Sequence, residues 1–236
     1  MRRLTFRGGV ITRFDKYEIY NDNGITKSDI GNAGTEYLIR GTSFDNIDEI
    51  AALSSRGYSF LDRVLGMKID IKSTEEVRQS KLKLLPGIEF NLRNECPNEV
   101  ADIADNAFVT DRRFHLEEHY DSGMAHEIIV SYIREYINAG GSLYTASYNG
   151  RIVGFIIMIE ESPGVAHNVL GAVLPEITGR AVAYPMYCTF LNELQKQGYK
   201  EYIGIVSSSN ITSINLHIQL GAYVTEVTDE YILRRK

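Results

Sequence analysis

Apolar and polar residues recur at helical spacing along some stretches of the chain and alternate along others. After Ser43 and Asp45, either of which can cap a helix, Ile47, Ile50, Ala51 and Leu53 form an apolar stripe that Gly57 ends. Residues 67–71 alternate as a half-buried strand does, and the charged, aperiodic residues 72–83 read as a linker. This pattern predicts a small amino-terminal domain over 1–82 and a larger domain over 83–236. In the larger part, Ile88, Phe90 and Leu92 mark a strand, and Pro97 opens a helix carrying Val100, Ile103, Ala104, Ala107 and Phe108. A second amphipathic helix carries Ala125, Ile128, Ile129, Tyr132, Ile133, Tyr136 and Ile137. Residues 143–148 and 151–159 flank Asn149-Gly150, a two-residue hairpin signal. A strand over 165–174, a helix over 179–197, a strand over 202–206 and a helix over 211–220 follow. Residues 223–227 and 231–233 read as a closing hairpin. The order is that of an α+β fold, with a mixed, mostly antiparallel central sheet flanked by helices.

Composition narrows the function classes without choosing among them. The chain is 44% hydrophobic and 24% charged, an ordinary globular balance, and its formal net charge of −6 gives no general attraction for nucleic acid or anionic lipid. The longest apolar run, Val153 to Ile159, stops at Glu160, far short of the roughly 20 residues that span a bilayer. No apolar segment follows the basic residues Arg2 and Arg3, so secretion is not expected. Cys96 and Cys188 stand in no metal-ligand spacing, which points to a reduced, cytoplasmic protein.

Two constellations carry candidate chemistry. In the first, a strand ending in Ala172, Val173 and Leu174 runs through Thr178, Gly179, Arg180, Ala181, Val182 and Ala183 into a helix. Free N–H groups and the helix dipole at such a turn suit a pyrophosphate. In the second, Asn210 is followed seven residues later by His217 and then by Gly221-Ala222. A third pattern, His115-Leu116-Glu117-Glu118-His119, fits the H-x-x-E-H arrangement of some zinc peptidases, but loop-forming residues flank it and no third ligand stands out. No metal site is assigned. Tyr144, Tyr148 and Phe155 read as cross-strand packing, and His126 and His167 receive no role.

The element order and both constellations resemble the Gcn5-related N-acetyltransferase (GNAT) family. The resemblance implies a GNAT fold, acetyl-CoA as cosubstrate without a metal, and direct attack of a primary amine on the thioester. It implies that main-chain groups of Ala172 and Leu174 align the pantetheine arm and that residues 178–183 hold the pyrophosphate. Asn210 would cap its helix beside the cofactor. His217 stands where the family usually carries a tyrosine that protonates the departing thiolate, a task within reach of an imidazole with an unperturbed pKa of roughly 6.5. Residues 55–62, 104–108, 112–114 and 210–233 are similar to the family members that acetylate nucleotide-linked amino sugars. By that likeness Asp62 would take a proton from the amine through water. The implied partner is a small-molecule amine, a nucleotide-linked amino sugar by the same likeness, with a homodimer left open. Another amine, such as a peptide amino terminus or a polyamine, and a non-catalytic acyl-CoA-binding module are the alternatives.

Overall fold

The structure, a computed structural model, describes residues 11–14, 17–21, 36–83, 86–93, 95–108, 130, 133–134, 136–138, 140–174 and 182–235. The chain forms two compact units, one of residues 1–65, 207–209 and 226–236, the other of residues 66–206 and 210–225.

The first unit is built on strands β1 (Ile11–Phe14), β2 (Tyr17–Asn21) and β3 (Glu36–Ser43), and helix α1 (Ile47–Ser55). The opening residues of β4 (Ser59–Asp70) and the closing residues of β10 (Tyr223–Arg235) complete it. β1 and β2 are antiparallel, β2 and β3 parallel, and β10 returns antiparallel to β3 with Thr42 opposite Asp229. Leu53, Tyr58 and Tyr231 form the buried centre, with Ile50 and Leu233 against it. Neither Ser43 nor Asp45 caps α1; the carbonyl of the Asn46 side chain accepts from Glu49 N–H at 3.2 Å. Ile47 is exposed because it falls on the outer side of a helix that buries Leu53 alone. Arg63 donates through Nε and Nη2 to the buried Asp229 carboxylate at 2.5 and 2.8 Å, a bidentate pair. This pair explains why residues 223–233 do not turn: Asp229 is held inside one continuous strand, not at the tip of a hairpin.

The second unit holds the end of β4, then α2 (Glu75–Lys81), β5 (Ile88–Arg93), α3 (Asn98–Ala107), β6 (Ser142–Tyr148), β7 (Arg151–Ser162) and β8 (Val165–Val173). Helix α4 (Ala183–Lys196), strand β9 (Glu201–Ser207) and helix α5 (Ile211–Gln219) follow. Strand order is β4-β9-β8-β7-β6-β5, antiparallel from β5 to β8 and parallel between β8 and β9. Asn149 (φ 51°) and Gly150 (φ 79°) both take positive φ, as the predicted β6–β7 turn requires. α3 packs on β7 and β8, and α4 packs on β8 and α2. Leu143, Phe155, Ile156 and Ile157 are fully buried, so β6 and β7 form the floor of this core.

The stretch expected as a linker is a turn followed by α2, and it belongs to this core. Thr74 precedes the helix, and Arg78, in the stretch expected as a charged linker, is completely buried. Its Nη1 donates to Ile71 O at 2.8 Å and to Thr74 Oγ1, while its main-chain oxygen accepts from Tyr184 Oη at 3.2 Å. Gly221 (φ 94°) packs so tightly on Thr74 that a Cβ would lie 2.6 Å from its methyl carbon.

Candidate active site

The residues that could handle a thioester lie where β8 and β9 part. The parallel ladder runs from Val165–Glu201 to Asn168–Gly204 and no further, although both strands continue. Between β7 and β8 the register slips, with Ile157 opposite Leu170 but Met158 opposite Asn168, so Val169 is an extra residue at the parting. Leu174 N–H donates to Val153 O at 2.8 Å, toward β7. Successive residues of a strand aim their main-chain groups to opposite sides, so Ala172 also faces β7, and Gly171 and Val173 face the gap. The main-chain groups offered to an extended ligand are therefore those of Gly171 and Val173. Of the expected Ala172 and Leu174, the Leu174 N–H is engaged with Val153 O.

The turn expected to hold a pyrophosphate is only partly visible. Thr178, Gly179, Arg180 and Ala181 lie outside the described residues, as do His115, Glu118, His119 and His126. Val182 is buried at the N-cap of α4 and Ala183 is its first residue; Val182 supplies no side-chain cap. The first-turn N–H groups thus meet no side-chain oxygen among the described residues, which suits an anionic ligand there. With the strand gap beside it, this arrangement fits a cosubstrate with an extended amide-bearing arm and a charged diphosphate.

Asn210 is the N-cap of α5, its side-chain oxygen accepting from Ser213 N–H at 3.0 Å. Seven residues on, His217 is 2% exposed and has both ring nitrogens engaged. Nδ1 lies 2.8 Å from Ser213 O, an acceptor only, so Nδ1 carries the proton. Nε2 must then accept, and it lies 2.9 Å from Tyr202 Oη. The imidazole stacks on the Tyr202 ring at 5.9 Å and meets the Tyr187 ring edge-on at 5.4 Å. Burial pushes its pKa down, against the opposing pull of the Ser213 carbonyl. The result is a neutral histidine that donates from Nδ1 and accepts at Nε2, not the imidazolium that would donate a proton from Nε2.

Three partners that sequence reasoning missed complete this cluster. Asn168 Nδ2 donates to Tyr202 Oη at 2.9 Å and to Tyr187 Oη at 3.1 Å. Burial pushes the Tyr187 hydroxyl up to about 12 and Tyr202 well above its ordinary value. Tyr187 Oη lies 2.3 Å from where a Cβ would stand on Gly171, so the glycine makes room for the hydroxyl over β8. The only sequence signal was a tyrosine at a buried position of each element, which packing alone would also explain. Asp62 is half-buried in the first unit, and its Oδ1 accepts from Arg63 N–H at 2.8 Å. His167, given no role, is buried with Nδ1 3.0 Å from Glu161. Tyr144 packs edge-on against Phe190 with ring centroids 4.8 Å apart, as expected of a core aromatic. Among the described residues no group of three or more His, Cys, Asp or Glu converges, and no helix is long and apolar enough to cross a membrane.

The model of the acetyltransferase (GNAT) family matches residues 103–222, which includes the parted strands, α4 and α5. The chain belongs to the GNAT family. Acetyl-CoA is that family's cosubstrate, and its chemistry is acetyl transfer to an amine. No curated protein matches the chain. Among solved structures, a tandem GNAT protein from the clavulanic acid biosynthesis pathway is similar, with 11% identity and a TM-score of 0.62 over 85% of this chain and 64% of its own. A GCN5-related N-acetyltransferase from Kribbella flavida shares 14% identity over 83% and 68%, with a TM-score of 0.51. A conserved protein of unknown function from Staphylococcus epidermidis shares 14% over 83% and 71%, with a TM-score of 0.56. These likenesses show the fold, and this chain spans about 64–71% of the three relatives.

Proposed function

We propose that this chain transfers an acetyl group from acetyl-CoA to a primary amine by direct attack of the amine on the thioester. The observation that carries the reading is the parting of β8 and β9 after Asn168 and Gly204, beside an α4 terminus whose N-cap, Val182, supplies no side-chain cap. An extended pantetheine arm can complete the broken ladder against Gly171 and Val173, as an added strand completes a sheet edge. Residues 178–183 would hold the pyrophosphate, with Asn210 near the cofactor. The amine lone pair forms the N–C bond, the C–S bond breaks, and the sulfur leaves with the electron pair. Asp62 would receive the ammonium proton through water.

The acceptor is read as a nucleotide-linked amino sugar in the cytoplasm. Its support is the likeness of residues 55–62, 104–108, 112–114 and 210–233 to the TDP-fucosamine acetyltransferase of enterobacterial common antigen synthesis. Acetyl-CoA at 100 times its Kd should stabilise the protein by about 2.7 kcal/mol, visible as a raised Tm. Thiol release should then require an amine, with nucleotide-linked amino sugars turned over faster than polyamines or peptide amino termini. Stabilisation without release for any amine would make the chain an acyl-CoA-binding module, and no stabilisation would overturn the reading altogether.

A further inference from the structure

The hydrogen bonds around His217 run in one direction, and they end on a proton that meets no acceptor among the described residues. Ser213 O takes the Nδ1 proton, so Nε2 accepts and the Tyr202 O–H must point at it. Tyr202 oxygen then accepts from Asn168 Nδ2, whose second N–H goes to Tyr187 oxygen. Tyr187 Oη thus receives one hydrogen bond, and its own proton reaches no acceptor among the described residues. That oxygen rests over Gly171, which turns its main-chain groups toward the β8–β9 gap.

We propose that the Tyr187 hydroxyl is the hydrogen-bond donor to the CoA sulfur as the C–S bond breaks, in the place the family's tyrosine on α5 would otherwise fill. This rests on the acetyl-CoA reading above. Main-chain groups of Gly171 and Val173 lie in the plane of the sheet and suit the amides of an arm lying between the strands. The hydroxyl stands over the sheet face at the same level, where a charge developing on sulfur has no other donor from this cluster. Tyr187 keeps its proton throughout: the thiolate is stabilised by the hydrogen bond and takes its final proton from water as it leaves. A hydroxyl that burial keeps protonated to about pH 12 is suited to donating without titrating. His217 and Tyr202 are positioning residues, since the tautomer of one sets the direction of the bonds that leave Tyr187 free to donate.

The test uses free CoA and needs no acceptor. Thiolate absorbance in the ultraviolet gives the pKa of the CoA thiol bound to the full chain. A hydrogen bond to a charged acceptor predicts a bound value below that of free CoA, rising by about 1–2 units in Tyr187→Phe. Tyr202→Phe, which removes nothing from the gap, should move it in the same direction by less. With an amine that turns over, Tyr187→Phe should lower kcat by about 10–100-fold with the KM for acetyl-CoA unchanged. A bound-thiol pKa equal in parent and Tyr187→Phe overturns the donor role while leaving the acetyl-CoA reading standing. Failure of the parent to bind CoA at all overturns both.

Discussion

Replacing Gly171 by alanine should unseat the Tyr187 hydroxyl, and the cost can be worked from the packing. A Cβ on Gly171 would lie 2.3 Å from Tyr187 Oη, roughly 1 Å inside van der Waals contact, with Phe155 O 3.4 Å away on the main chain. Main chain does not yield, so the ring must move and the 3.1 Å bond from Asn168 is lost. Overpacking of this kind costs about 1–3 kcal/mol and the hydrogen bond about 1 kcal/mol, against about 0.5–1 kcal/mol gained by replacing glycine within a strand. Gly171→Ala should therefore lose about 1–3 kcal/mol. Tyr187→Phe alone should lose about 0.5–1.5 kcal/mol. In the double variant the nearest obstacle is Tyr187 Cζ at 3.3 Å, which needs a shift of only a few tenths of an ångström. The pair should then cost little more than Tyr187→Phe by itself, a coupling of about 1 kcal/mol or more. Urea unfolding of the four proteins, followed by tyrosine fluorescence and far-UV circular dichroism, measures it. Additive losses would mean that the hydroxyl does not occupy the space over Gly171, and the donor geometry would fail with it.

Other outcomes follow from the same contacts. Burial holds His217 below its unfolded pKa of 6.5, so the unfolded state binds its proton first as pH falls. Its contribution is present above about pH 6.5 and is lost as pH drops toward the folded value; His217→Phe should flatten that part of the parent's stability between pH 7.5 and 5, and an unchanged slope would count against a buried neutral imidazole. Arg78 leaves Nε and Nη2 buried without partners among the described residues, so Arg78→Met should stay within about 1 kcal/mol of the parent while Arg78→Ala, which opens a cavity, loses about 2–4 kcal/mol in urea unfolding. Asn210→Ala should cost about 1 kcal/mol through the lost N-cap and Asn210→Asp much less, as thermal melts would show. Ala181→Glu, in the turn assigned to the pyrophosphate, should abolish acetyl-CoA binding by calorimetry while circular dichroism stays unchanged.

Much of the second unit could be read from local chemistry. Asn149-Gly150 announced a turn that only two positive φ values satisfy, and the apolar runs on either side became β6 and β7. The seven-residue spacing from Asn210 to His217 placed one at the cap and the other two turns along α5. What failed depended on distant partners. Asp229 looked like a turn residue because Arg63, 166 residues away, is invisible to a local pattern. The stretch 72–83 looked like a linker because the acceptors that bury Arg78, Ile71 O and Thr74 Oγ1, are a carbonyl and a hydroxyl, not an acid. Around Ala172 and Leu174 the sequence shows that main-chain groups alternate, but not which set the β7 ladder consumes. The site's donor was hidden for a related reason. A tyrosine on a helix and one on a strand become a directed chain only when Asn168 bridges them.

The antiparallel pairing of β3 with β10 has a consequence for how the protein is made. Thr42 meets Asp229 across a long sequence separation, so the first unit closes on a strand the ribosome delivers well after β3. At about 5–20 residues per second, β3 waits many seconds for its neighbour, while α3 and the β5–β8 meander, all close in sequence, can form meanwhile. The unpaired edge of β3 is exposed to other chains throughout that delay. Shortening the chain from its carboxy end by ten residues would prolong the delay indefinitely, so aggregation of nascent chains should rise before any loss of order in the β5–β8 segment.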